Sequence, residues 1–364
     1  MDTAKTADFF LGANSPTGFT SYFSELTDPS LTDHCYIIKG CPGSGKSTMM
    51  KKTAARFAGK DSLVERIHCS SDPDSLDAVI LHDSRAILAD GTLPHAIEPK
   101  LPVVYEKIVS LFDCFNTELL SARRAAAMET DRKIKDCHKR CCCYLAGAAM
   151  LLEDNCRTAA ECTDYLKIQR LAQKLAAKEL PQKKGVAGIE RKRLLSAVTP
   201  KGIVAFSGSV TALCDKIYLI KDEYAASSTA LLRALKVLAL ESGYEVFACY
   251  CPLDQQNKLE HLLIPELSLG FVTENSYFQP ELEPYRVIHF SRFTDKNRLK
   301  QKKQRLSFNK RAAKEILEEA VKSLVKAKAF HDELEEIYQS GVSFEQIGRI
   351  QEATEKAIAA HYQA

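Results

Sequence analysis

Residues 40–47 combine residue types and a spacing that suit the binding of a triphosphate. They read Gly-Cys-Pro-Gly-Ser-Gly-Lys-Ser and fit the phosphate-binding loop pattern G-x-x-x-x-G-K-[S/T]. Glycine permits backbone angles that are closed to other residues, so that successive N–H groups can surround a phosphate. A helix that begins at Lys46 would also direct the positive end of its dipole toward the same anion. The segment therefore predicts a site for the phosphates of ATP.

The residues of this segment have different expected roles. Lys46 is expected to contact the β- and γ-phosphates, and the Ser47 hydroxyl is placed to ligate Mg²⁺. The other expected nucleotide contacts are Gly40, Cys41, Pro42, Gly43, Ser44, Gly45 and Thr48. A strand-like run at residues 36–39 precedes the segment and a helix-forming run at 48–57 follows it, which is the context that such a loop requires.

A phosphate site of this kind also needs a carboxylate at the end of a neighbouring strand, to hold Mg²⁺ directly or through water. Asp90, after the apolar residues 86–89, is the first candidate, and Asp72 is the alternative metal ligand. Asp72 equally suits the cap of a helix predicted for residues 75–81. His95 follows Asp90 in a loop and is a candidate catalytic residue that could orient a water or contact substrate, or it could simply be exposed.

The elements that must position these residues occur twice in the chain. Residues 36–39 (YIIK) recur as residues 218–221 (YLIK), and residues 15–19 (SPTGF) recur as residues 198–203 (VTPKGI). The shift stays between 179 and 185 residues along the chain, about half of its 364 residues. A constant shift of this size predicts a tandem duplication.

Each half is expected to be an α/β domain resembling a P-loop NTPase, because a strand, a loop, a helix and further short strands imply a mostly parallel sheet. Helical periodicity then covers about residues 117–180 and 311–361, so that a helical hairpin is predicted after each sheet. Polar, breaker-rich residues at 181–188 separate the halves. The predicted domains are residues 1–185 and residues 186–364.

The second half lacks the phosphate-binding pattern. Its residues 222–229 read DEYAASST without a glycine, and a shift of 182 places Ser228 at the position of Lys46. Asp222 and Glu223 would point negative charge at the place where phosphates bind, and Glu274 is the expected counterpart of Asp90. The second half is therefore expected to be a nucleotide-incompetent duplicate.

Composition limits the remaining classes of protein. A hydrophobic fraction of 45% and a charged fraction of 27% are typical of a soluble globular protein. The first residues do not look like a signal peptide, and no apolar run is long enough to cross a membrane, so a cytoplasmic location is expected. Six of the 13 cysteines fall between residues 137 and 162 without the paired spacing of a zinc site, and they are expected to serve as small packing residues.

Residues 296–314 hold nine basic residues and no acidic one. A solvated surface is the expected role of this run, with contact to nucleic acid as the alternative, since charge runs usually face solvent. A net charge of +3 does not by itself suggest nucleic acid.

Four segments together resemble an uncharacterised family of bacterial tandem P-loop ATP-binding proteins: residues 40–47, 68–77 (HCSSDPDSLD), 90–95 (DGTLPH) and 196–202 (SAVTPKG). The resemblance covers essentially the whole chain. It implies the fold and ATP binding, and it names no further substrate. Members of that family look able to bind nucleotide in both halves, and this sequence departs from them in its second half.

The function predicted from the sequence is Mg²⁺-dependent ATP hydrolysis at the first half, used to move the halves or their helices against each other. One alternative is a kinase that acts on a small molecule or nucleotide. Another is an ATP-gated scaffold, whose helical hairpins would bind a partner protein.

Overall fold

The computed structural model describes residues 5–29, 32–94, 96–183 and 185–362. The strands and helices of the first half are β1 (Lys5–Phe9), β2 (Gly12–Ser15), β3 (Gly18–Ser21), β4 (His34–Lys39), α1 (Lys46–Phe57), β5 (Leu63–Cys69), β6 (Asp72–Leu81), β7 (Ala86–Asp90), β8 (Glu106–Ser110), α2 (Thr117–Ser121), α3 (Arg124–Ala160) and α4 (Tyr165–Glu179). Those of the second half are β9 (Ile189–Arg193), β10 (Ser196–Thr199), β11 (Gly202–Ala205), α5 (Ser207–Leu213), β12 (Lys216–Lys221), α6 (Ala226–Glu241), β13 (Glu245–Cys251), β14 (Asp254–Ile264), β15 (Leu269–Glu274), β16 (Arg286–His289), α7 (Lys296–Gln301), α8 (Lys303–Gln339) and α9 (Phe344–Ala360).

Each half builds one six-stranded sheet, and the two sheets have the same topology. Their strand orders are β1-β5-β6-β7-β4-β8 and β9-β13-β14-β15-β12-β16. In each sheet one strand, β6 or β14, runs antiparallel to both neighbours, and the other neighbouring strands are parallel. The prediction of an α/β protein with mostly parallel sheets is confirmed, and a duplicated layout fits this shared order.

The strand register corrects two positions in the comparison of the halves. Ile38 pairs with Asp90 in the first sheet, whereas Ile220 pairs with Thr273 in the second, so Thr273 rather than Glu274 is the counterpart of Asp90. Six residues (40–45) join β4 to α1, and four residues (222–225) join β12 to α6. The loop of the second half is thus two residues shorter, and Ala226 rather than Ser228 occupies the position of Lys46.

The two sheets pack face to face around a shared core. Phe9 and Phe247 meet edge to face with ring centroids 5.8 Å apart, within one apolar cluster drawn from both sheets. An ion pair crosses this core, because Arg193 donates to the fully buried Glu65 at 2.7 Å. Burial disfavours the charged carboxylate, but Arg193 and His82 outweigh that effect and hold the pKa of Glu65 well below its usual range. The halves are therefore joined by a continuous interior.

The outer face of each sheet is covered by a helix of the other half. In α9, Ile347 and Ile358 lie in one apolar cluster with Met49 and Phe57 of α1. The Tyr36 hydroxyl of β4 also lies 2.9 Å from His361 Nε2. This end of the chain thereby belongs to the packing of the first half.

The reciprocal contact covers the second sheet. Ile168 and Leu175 of α4 lie in one apolar cluster with Leu231 of α6, and the Tyr218 hydroxyl of β12 donates to Glu179 at 2.6 Å. The boundary near residue 185 separates the two copies in sequence, whereas the packing exchanges α4 and α9 across it.

The predicted hairpin within each half is wrong, because the long helices pair across the halves. α3 and α8 run antiparallel, with Cys141 and Leu145 packed against Ala313 and Leu324. Polar contacts extend the pair, since the Asn155 side chain donates to the Leu306 carbonyl at 3.1 Å. The segments that flank these helices also pair between the halves. Isolated β-bridges join residues 115 and 342 and residues 163 and 294.

The helix predicted for residues 75–81 is also wrong, since these residues belong to β6. The last six of them are buried, as expected for a strand between two neighbours rather than for an amphipathic helix. The basic run at 296–314 lies on α7 and the start of α8, where Lys302, Arg305 and Lys310 pair with Glu161, Asp154 and Glu223. Searched over the described residues, no helix combines the length and the apolar character that crossing a membrane requires.

Candidate functional site

The predicted phosphate-binding segment forms the turn between β4 and α1, at the carboxyl end of a central strand. Gly43 and Gly45 have positive φ angles of 68° and 78°, which favour glycine, and Gly45 precedes the first residue of α1. Since the first N–H groups of a helix have no intrahelical acceptor, this turn presents unpaired donors. The N–H groups of Gly43, Gly45, Lys46 and Ser47 donate to no acceptor among the described residues. The turn therefore offers several donors to an anion.

Lys46 supplies a positive charge at this turn. Its ammonium donates to the carbonyls of Gly40 at 3.1 Å and Cys41 at 2.9 Å, and it lies 3.6 Å from Asp90 Oδ2. The side chains of Lys46 and Asp90 are only 11% and 12% exposed, so water screens this pair weakly. The structure thus brings together two of the residues that the sequence selected, from β7 and from α1.

The remaining contacts of Asp90 and Ser47 fix their orientation. Asp90 Oδ1 accepts from the hydroxyl and the N–H of Thr92, at 2.6 and 2.9 Å, which leaves Oδ2 toward Lys46. The Ser47 hydroxyl accepts from the N–H of Leu76 at 3.0 Å. Both side chains carry oxygen atoms, which are the type of ligand that Mg²⁺ prefers.

Asp72 has other partners. It accepts from the Ser75 hydroxyl at 3.0 Å and lies 3.5 Å from the Lys328 ammonium of α8. It occupies the start of β6 and not the helix cap that was the alternative. His95 lies outside the described residues.

The other residues that were predicted to contact the nucleotide differ in their exposure. Gly40 and Ser44 are buried, and the Ser44 hydroxyl has no partner among the described atoms. Pro42 is partly exposed and Thr48 is exposed on α1. Burial raises the pKa of the Cys41 thiol, and Lys46 opposes this only in part, so that the thiol form is favoured.

The second half covers the turn, which the sequence did not predict. A Cβ atom added to Gly43 would lie 3.0 Å from Gln339 Cγ and 3.1 Å from the Glu335 carbonyl of α8. A Cβ atom on Gly45 would lie 3.9 Å from the ring of Phe344 in α9. Helical periodicity can identify α8 and α9, but it cannot show which end of a helix meets a turn almost 300 residues earlier.

A further cluster of possible metal ligands lies on the same part of α8. The ligand atoms of His331, Asp332 and Glu335 lie within 4.8 Å of one another. Lys328 pairs with Asp332 and thereby supplies positive charge to this cluster. It is a different group from Ser47, Asp90 and Asp72, which were predicted as metal ligands.

The corresponding turn of the second half contains its own anion. Asp222 is 1% exposed, and its Oδ2 accepts from the N–H groups of Ser227 and Ser228 at 2.9 and 2.8 Å. Its Oδ1 accepts from the N–H of Tyr224 at 3.1 Å. The prediction that Asp222 points negative charge at this position is confirmed. Glu223 instead accepts from Ser276 at 2.6 Å and pairs with Lys310.

Comparison of the chain with protein-family models, with curated proteins and with solved structures found no match. The resemblance to the tandem P-loop family therefore stays a prediction that rests on the four sequence segments.

Proposed function

We propose that the first half binds ATP together with Mg²⁺ and hydrolyses it. The observation that carries this proposal is the turn at residues 40–47, where unpaired N–H groups surround the start of α1 and Lys46 lies beside Asp90. A helix start that combines free donors with a lysine is suited to the phosphates of a nucleotide.

The residues have distinct roles in this proposal. The N–H groups of Gly43, Gly45, Lys46 and Ser47 and the Lys46 ammonium bind the phosphate oxygens. Lys46 then exchanges its contacts with two backbone carbonyls for contacts with the phosphates. The Ser47 hydroxyl and the Asp90 carboxylate hold the ion, which supplies charge neutralisation when bound.

The second half supports the assignment of this role to one half only. Asp222 already accepts from the N–H groups at its helix start, and a phosphate there would meet a buried carboxylate. Ala226 replaces Lys46, so that no lysine begins α6. Like charges at close range and an absent counter-charge both oppose triphosphate binding.

The test is ATP binding by titration calorimetry, together with Mg²⁺-dependent release of phosphate. The Lys46→Ala variant is expected to bind ATP about 10- to 100-fold more weakly, because it loses a charge-assisted contact. Lys52→Ala removes an exposed lysine from the same helix and is the control, with unchanged affinity. Equal affinity of the wild type and Lys46→Ala, or no binding by the wild type, would contradict the proposal.

One contact favours an ATP-gated scaffold as the second candidate. Gly43 touches the end of α8, so phosphates bound at this turn lie beside a helix of the other half. Tight ATP binding with very slow phosphate release, together with a change in α8, is the expected result for that function. ADP release that depends on an added acceptor would instead support the predicted alternative of a kinase.

A further inference from the structure

A cavity of about 630 Å³ opens on the second half, away from the turn at residues 40–47. Its walls are the start of β11, the residues after β15 and one face of α8. The volume lies within the range of about 300 to 1,000 Å³ that is typical of small-molecule sites. The cavity is thus large enough for a compact organic molecule.

One part of the wall is apolar. Ile203, Leu317, Val321 and the side chain of Tyr277 line it, and Ile203 is 39% exposed although it is a large apolar residue. The position of Ile203 is held by Phe19 in the first half, where the ring lies against Gly12. The smaller Ile203 leaves an apolar surface open to a ligand, and covering such a surface is favourable.

The other part of the wall is basic. Lys310, Lys314 and Lys322 line the cavity, and Glu318 is the one acidic residue among the described residues that line it. Lys310 pairs with Glu223 at 2.8 Å and Lys322 with Glu319 at 2.6 Å. Lys314 forms no ion pair with a described residue, although Glu318 follows it by one helical turn at the same wall. The Lys314 ammonium is therefore available to an anionic group in the cavity.

We propose that this cavity binds a small organic anion that carries one phosphate, sulfonate or carboxylate group on an apolar or aromatic body. The anionic group lies on Lys314 and the apolar body lies against Ile203, Leu317 and Val321. A triphosphate is disfavoured here, because the Glu223 carboxylate accepts from Ser276 and pairs with Lys310, and both of these residues line the cavity. This site is independent of the proposed ATP site.

The test uses 8-anilinonaphthalene-1-sulfonate, an aromatic anion whose fluorescence rises in apolar surroundings. The folded wild type is expected to bind it saturably with one-to-one stoichiometry. Lys314→Glu is expected to weaken this binding at least about 10-fold, since it replaces attraction with repulsion. Ile203→Ser, on the exposed strand β11, is expected to weaken it several-fold. Lys300→Glu, which changes an exposed lysine of α7 outside the cavity, is the matched control.

Displacement of the dye by other anions, and dye binding by the Lys46→Ala variant, are measured next. Phenyl phosphate is expected to displace the dye, whereas inorganic phosphate at the same concentration is not, because it lacks the apolar body. Lys46→Ala is expected to bind the dye like the wild type, so that failure of this site and failure of the ATP site are distinguishable. Non-saturable binding, an equal loss in Lys300→Glu, or equal displacement by inorganic phosphate would overturn the proposal.

Discussion

The turns after β4 and β12 occupy the same place in two sheets of the same topology. They differ in whether their backbone N–H groups already have an acceptor. The first turn keeps its N–H groups unpaired and places Lys46 beside them. In the second turn, three N–H groups donate hydrogen bonds to the carboxylate of Asp222. The difference teaches that the strand–turn–helix geometry directs N–H donors toward one point in both halves, and that in the second half a side chain of the protein already accepts from them.

The backbone at the two helix starts supports this comparison. Gly45 and Ala225 both precede a helix with a left-handed conformation, at φ angles of 78° and 61°. An alanine in this conformation costs about 1 kcal/mol more than a glycine. The second half keeps the turn in spite of that cost, because the bonds to Asp222 hold it.

The largest expected effect comes from removing that internal anion. Asp222→Ala leaves three buried or part-buried N–H groups without an acceptor, and we expect about 3 kcal/mol of lost unfolding free energy, measured by urea denaturation. Sulfate is expected to stabilise this variant more than the wild type, relative to chloride at equal ionic strength, because the emptied turn accepts an anion.

The control for this prediction is Glu223→Ala. Glu223 bonds to Ser276 and Lys310 and not to the N–H groups at the start of α6, so its removal is expected to cost less and to give no sulfate-specific gain. A sulfate response that is equal in both variants would break the comparison between the two turns.

The next effect tests whether each half needs the helix of the other. Ile347 of α9 and Ile168 of α4 are 5% and 1% exposed on the outer faces of the first and second sheets. Replacing either by alanine is expected to lower the unfolding free energy by about 3 kcal/mol, because a cavity forms under a covering helix.

Hydrogen exchange shows which part of the protein is destabilised in each variant. Ile347→Ala is expected to deprotect α1 and β4 of the first half, and Ile168→Ala to deprotect α6 and β12 of the second. If each variant deprotects its own half instead, the exchange of helices does not describe the protein in solution.

A third effect, which depends on pH, concerns His261, which the second sheet buries at the position that Ala78 occupies in the first sheet. Burial lowers the pKa of His261 to about 4, and nearby Lys258 adds to this effect while Glu260 opposes it. Between that value and the ordinary pKa of 6.5, the unfolded chain binds more protons than the folded chain. The unfolding free energy is therefore expected to fall as the pH drops from 6.5 toward 4, by about 1.4 kcal/mol per pH unit at most.

The measurement is denaturation at several pH values with His261→Leu for comparison. This variant loses the acceptor of the Thr273 N–H and is less stable at pH 7, but its stability is expected to depend less on pH. His289→Leu, which changes an exposed histidine, is the control. An equal pH slope in the wild type and His261→Leu would show that other groups cause it.

The smallest effect tests the contact of α8 with the first turn. Gly43→Ala places a methyl group against Gln339 and the Glu335 carbonyl at a positive φ, and about 1 to 2 kcal/mol of stability is expected to be lost. Gly185→Ala is the matched control, because Gly185 has a similar φ angle of 71° and its added methyl meets no atom within 4 Å. An equal decrease of the melting temperature in both variants would show that α8 does not pack closely against this turn.

Sequence reasoning identified the duplicated α/β architecture and the first turn, because both depend on local patterns. Alternating and continuous apolar runs specify strands, and glycines at fixed spacing specify a turn before a helix. The same reasoning failed for residues 75–81, where a short apolar run suits a helix or a buried strand equally well. It also misplaced the counterparts of Lys46 and Asp90. A constant shift in sequence does not show at which positions the shorter loop lacks residues.

The sequence by itself determined that one half carries a lysine and three glycines in a segment that fits the phosphate-binding pattern, and that the other half carries acidic residues instead. Only the tertiary structure decided that α4 and α9 exchange sheets, that α8 meets Gly43, and that Asp222 fills its own turn. The physical reason is that apolar periodicity specifies which face of a helix is buried but not against which partner. That choice depends on the shape and charge of surfaces that exist only after the two sheets have packed together.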